Sequence, residues 1–72
     1  MRELRFHREL YRGEAVDAAA KLYAPYARIE LAEEPTHWIV RVSASTSSRE
    51  TRVARELANH ALGTTIRDRS AG

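Results

Sequence analysis

Between residues 4 and 10 the chain alternates. Leu4, Phe6 and, less cleanly, Leu10 fall on one side, with Arg5, His7 and Glu9 on the other. Period two is the mark of a half-buried strand. Over "YRGEAVDAAAKLYAPY" the period lengthens: Val16, Ala19, Ala20 and Tyr23 share a helical stripe, while Asp17 and Lys21 stand four apart on the wet side. Gly13 and Glu14 suit a helix start, the acid being favoured by the helix dipole. Pro25 stops the helix, because the residue before a proline is pushed out of the α region.

"ARIELAEEPTHWIVRVSAS" then reads as a hairpin. Ile29 and Leu31 alternate with Arg28 and Glu30; Trp38, Val40, Val42 and Ala44 alternate with Ile39, Arg41 and Ser43. "AEEPTH" carries the turn, with Pro35 where no ladder donor is needed. Ser47 or Ser48, followed by Glu50, approximates a capping box for a last helix. Its apolar stripe is Val53, Leu57 and Ala61 with Ala54, Ala58 and Leu62, and Gly63, Thr64 and Thr65 weaken its end.

The element order is β-α-β-β-α. It predicts an α+β two-layer sandwich, a three-stranded sheet with both helices on one face, since each strand is apolar on one side only. If the third strand lies between the other two, the arrangement is a ferredoxin-like fold lacking its last strand, and the first strand is left at an edge. The expected core is Leu4, Phe6, Val16, Tyr23, Ile29, Leu31, Val40, Val42, Leu57 and Leu62. Residues 1–67 form a single domain, and 68–72 a polar tail that frays.

Size and composition narrow the function. A chain of 72 residues holds one thin core and tends to be marginal without a staple or a partner. It has no cysteine, so disulfides and thiolate metal ligands are excluded. No long apolar run or signal-like start stands out, so the expectation is a cytoplasmic address and no membrane contact. Twelve basic and ten acidic residues leave a net charge of only +2. The bases are spread along the chain rather than gathered on one face, which does not favour nucleic-acid binding.

Candidate chemistry is sparse. His7, His37 and His60 fall on three different elements with no HxxxH or HxH spacing, so no metal site is expected and the three are read as solvent-facing. The serines at 43, 45, 47 and 48 precede a helix, where capping accounts for them. Glu33 and Glu34 are adjacent turn acids rather than an acid/base pair in a cleft. The expectation is no enzyme and no cofactor. Binding is the alternative, and the exposed edge at Leu4, Arg5, Phe6 and His7 is its first candidate, because an unpaired strand edge invites another chain. The second candidate comprises Trp38, either core or an aromatic anchor, with Arg49, Arg52 and Asn59. Those polar residues of the last helix are either a solvated face with an Arg52–Glu56 pair or a surface of guanidinium forks for carboxylates and carbonyls.

A strand, then "LYRGEAVDAAAKLYAPYARIEL", an aromatic hairpin strand and a last helix with Asn59, Leu62 and the closing Ile66–Arg67 together resemble HxsD-like proteins. These are accessory proteins of His-Xaa-Ser peptide-maturation systems encoded beside radical SAM enzymes. The resemblance covers nearly the whole chain in layout and length, and rests on the Tyr…Ala…Ala…Tyr of the first helix and the Asn-to-Leu-Arg ending of the last. Gly63, Thr64 and Thr65 depart from the family's more acidic and apolar ending. The resemblance implies a non-catalytic partner of a maturase that presents a precursor peptide, with Asn59 a structural or docking residue. The element order and "LANHAL" also resemble the small dimerising subunit of the KEOPS tRNA-modification complex, which implies a homodimeric scaffold that touches tRNA.

Overall fold

A computed structural model describes the backbone of residues 1–71 and the side chains of residues 1–67. The elements are β1 (Arg2–His7), α1 (Gly13–Tyr23), β2 (Arg28–Glu33), β3 (His37–Ser43) and α2 (Ser47–Ala71). The sheet order is β1-β3-β2, with β3 antiparallel to both neighbours. Strands β1 and β2 therefore run parallel with β3 between them, and both are edges.

Both helices cover one face. The core gathers Phe6 from β1, Val40 and Val42 from β3, Val16 and Ala19 from α1, and Val53, Ala54, Leu57 and Ala61 from α2. The strands pair in the phase that their alternation predicts: Leu4 opposes Val40, Phe6 opposes Trp38 and Ile29 opposes Val42. Alanines where the helices meet let their backbones approach closely, so a thin sheet suffices to close the core.

Two expected core residues are not core. Leu31 faces the helix layer but is 49 % exposed, because β2 is an edge strand and its outer flank carries no helix. Leu62 is 43 % exposed for a different reason. Helix α2 has 25 residues, about 37 Å at 1.5 Å per residue, against about 20 Å for a strand. It therefore overruns the sheet, and its last turns have no strand beneath them. Ile39 deviates the other way. It lies on the uncovered face yet is 1 % exposed. It sits on the central strand between Arg5 of β1 and Ala32 of β2, a position where the stem of a long charged side chain such as Arg5 can cover apolar surface.

The helix boundaries differ from those that the local sequence predicts. Thr46, not Ser47 or Ser48, caps α2: its hydroxyl accepts from the Arg49 N–H at 3.1 Å and its carbonyl from the Glu50 N–H at 3.0 Å. Gly63, Thr64 and Thr65, expected to weaken the end of the helix, lie within it, and it runs to Ala71. The polar tail expected over 68–72 falls on residues whose side chains, with the whole of Gly72, lie outside the described residues. Leu10, read loosely as strand, is in the turn between β1 and α1 and is exposed.

Candidate functional site

The outer edge of β1 is unpaired among the described residues, since its only ladder runs to β3. Beside that edge, between β1 and α2, lies a cleft of about 280 Å³ lined by Arg2, Leu4, Thr51, Ala54, Arg55 and Ala58. Residues four apart stack in one row along a helix. Ala54, Ala58, Leu62 and Ile66 form such a row, alanine where the strand runs alongside and large exposed aliphatics where it has ended. The cleft is open because the side chains that floor it are small.

The start of α2 is tied to this edge. The N-terminal ammonium meets Glu50 Oε1 at 3.0 Å, and Arg2 Nε donates to Thr51 Oγ1 at 3.1 Å. Glu50 is held below the ordinary carboxylate range, chiefly by its hydrogen bond from the ammonium, against the opposing effect of partial burial.

Of the edge residues singled out in the sequence, Leu4 is half-buried in the cleft wall. Phe6, 4 % exposed, belongs to the core and packs edge-on to Tyr11 with ring centroids 4.9 Å apart. It has no surface to give a partner. Arg5 and His7 point to the uncovered face. There Arg5 pairs with Glu34 at 2.7 Å, and the His7 ring meets His37 edge-on at 4.9 Å.

Trp38 is neither a plain core residue nor a free anchor. Its Nε1 donates to the Tyr11 carbonyl at 3.2 Å, the Arg8 guanidinium sits 4.1 Å above the ring, and the indole lies against Gly13. It forms one wall of a second cleft, also about 280 Å³, shared with Glu14, Val16, Leu31 and Glu33 at the β2 edge.

On α2, Arg49 and Arg52 come together in a third cleft with Tyr23, Tyr26, Val53 and Glu56. The expected Arg52–Glu56 ion pair is not formed among the described residues. Asn59 is exposed, but His60 is not solvent-facing as its sequence position suggests. It is half-buried, with its ring 6.4 Å from that of Tyr23. The tyrosine wall and the His7–His37 pair have no local signature, because they depend on helix packing and on strand register.

No group of three His, Cys, Asp or Glu residues suited to a metal ion occurs among the described residues, and no helix there is long and apolar enough to cross a membrane. No protein-family model, curated protein or solved structure matches the chain.

Proposed function

We propose that this chain is a non-catalytic binding module that takes up an extended segment of a partner polypeptide along the outer edge of β1. The observation that carries this reading is the coincidence of an unpaired strand edge with a cleft floored by Ala54 and Ala58. An added strand gains main-chain hydrogen bonds from the edge, and its alternate side chains enter the cleft. A large apolar residue fits over the alanines. Arg2 and Arg55 at the rim favour acidic neighbours, and Leu62 and Ile66 extend the apolar row past the strand end. In the narrower form suggested by the likeness to HxsD-like proteins, the segment is a precursor peptide and the wider partner a radical SAM maturase. The site itself calls for no cofactor.

The test is to select peptides from a random library on the purified chain and to measure their binding to an Ala58→Phe variant. Filling the cleft should abolish binding while the circular dichroism spectrum stays native. Undiminished binding to the variant would move the site elsewhere.

One feature favours a second copy of the chain as the occupant. Antiparallel pairing of two β1 strands about Leu4 sets Glu3 of each opposite Arg5 of the other, and opposite charges directly across strands attract. A dimer mass by light scattering, lost in Ala58→Phe, would select that reading, which is also the one implied by the likeness to the KEOPS subunit.

A further inference from the structure

The cleft at the C-terminal end of α1 has no part in strand capture; it lies on the other side of α2 from the β1 edge. Tyr23 and Tyr26 wall it, their ring centroids 6.3 Å apart and tilted by 54°. Val53 lies at its base, and Arg49, Arg52 and Glu56 complete the lining. Five ion pairs among the described residues occupy Arg5, Arg28, Arg41, Lys21 and the N-terminal ammonium; Arg49 and Arg52 enter none. Their guanidinium groups and the two phenol hydroxyls make no hydrogen bond to another group among the described residues. Four side chains whose donors have no acceptor among the described residues therefore line one space, with a single carboxylate beside them.

Planar guanidinium forks match the oxygens of a phosphate or carboxylate, and aromatic rings offer flat apolar area. The volume, about 280 Å³, falls just short of the ~300 Å³ at which pockets begin to hold drug-sized ligands. It suits one ring and one anionic group. We propose that this cleft binds an aryl oxyanion, a phosphate or carboxylate held by Arg49 and Arg52 with its ring against Tyr23 and Tyr26. Glu56 disfavours a second anionic group on the ring. The ligand is either a free small molecule or the phosphotyrosine side chain of a polypeptide.

The experiment is a titration of the labelled chain, followed by amide NMR, with phenyl phosphate, benzoate and inorganic phosphate. Saturable shifts should centre on Tyr23, Tyr26, Arg49, Arg52 and Val53 at low millimolar phenyl phosphate. Arg49→Gln or Arg52→Gln should weaken binding by about tenfold or more, a loss on the scale of one charge-assisted contact. Tyr26→Ala should weaken phenyl phosphate but not inorganic phosphate, and Arg41→Gln, on β3 and outside both this cleft and the β1 slot, should change neither. A phosphotyrosyl peptide that binds more tightly than phenyl phosphate identifies a modified protein as the source; equal binding identifies the free ligand. Absence of saturable shifts at the cleft, or binding indifferent to Arg49, Arg52 and Tyr26, would overturn the proposal. Ala58→Phe should leave this binding intact, so its outcome is separate from that of strand capture.

Discussion

The two edges of this sheet are flanked by clefts of the same volume, about 280 Å³, and are built in opposite ways. At the β2 edge the space is bordered by a large side chain that cannot move freely. The Trp38 indole is fixed by the Tyr11 carbonyl, covered by Arg8 and seated on Gly13, with acids Glu14 and Glu33 at the rim. At the β1 edge the space is bordered by alanines, with arginines at the rim. The first is a packed margin with negative charge; the second is an unfilled slot with positive charge. Equal volume therefore does not mean equal capacity. The main chain is unpaired along the outer side of both edge strands; what distinguishes the slot is that small side chains stand beside it.

Both edges hang on one core, so the largest effect must strike them together. Leu57→Ala empties a site with no exposure and should cost about 2–5 kcal/mol in urea unfolding. If only one edge loosened, seen as faster amide exchange there alone, the shared core would be an illusion.

The next change separates the edges. A Cβ at Gly13 would lie 3.0 Å from Trp38 Cζ2, so Gly13→Ala must displace the indole; we expect a loss of about 1–3 kcal/mol with altered tryptophan fluorescence. The β1 slot should be unaffected. Gly63→Ala is the counterpart: nothing lies within 4 Å of its added methyl, and the swap should gain about 1 kcal/mol of helix propensity in the overrunning half of α2.

Smaller still is Thr65→Val. The Thr65 side chain is 2 % exposed, and its Oγ1 has no hydrogen-bond partner among the described residues. Removing a stranded hydroxyl at nearly constant shape should raise stability by about 1 kcal/mol. A loss would mean that the hydroxyl bonds back to the helix.

The smallest effect concerns pH. Glu50 titrates lower in the folded chain than in the unfolded one, so its contribution is present above the ordinary carboxylate range and disappears as pH falls through its depressed value. Glu50→Gln should flatten that part of the acid-unfolding profile and loosen the join between β1 and α2, with no change at the β2 edge.

Much of the fold was legible because it is written in local periods. Alternation gave the strands and their phase, the 3.6 spacing gave the helices, and Pro25 ended the first where its sterics require. Apart from the cap and the end of α2, the departures concern what lies beside an element rather than within it. Leu31 and Leu62 have the right phase, but strand order and helix length leave them uncovered. Phe6 is core, as its alternation predicts, and so is not the strand-edge anchor that its place on β1 also suggests. The slot at β1 was legible in outline from the element order. Its alanine floor was not, since Ala54 and Ala58 look like ordinary stripe residues until the missing neighbour is known. The tyrosine and arginine cleft combines residues 23 and 26 with 49 and 52 across a helix pair, a juxtaposition with no local signature.

Amide hydrogen exchange of the chain, alone and bound to a library-selected peptide, tests the slot most directly. Strand addition should slow exchange at alternate amides of Arg2–His7, the ones that face outward from the sheet, and leave Arg28–Glu33 as it was. Protection appearing instead along β2, or over the helices with β1 unchanged, would contradict the assignment of β1 as the receiving edge.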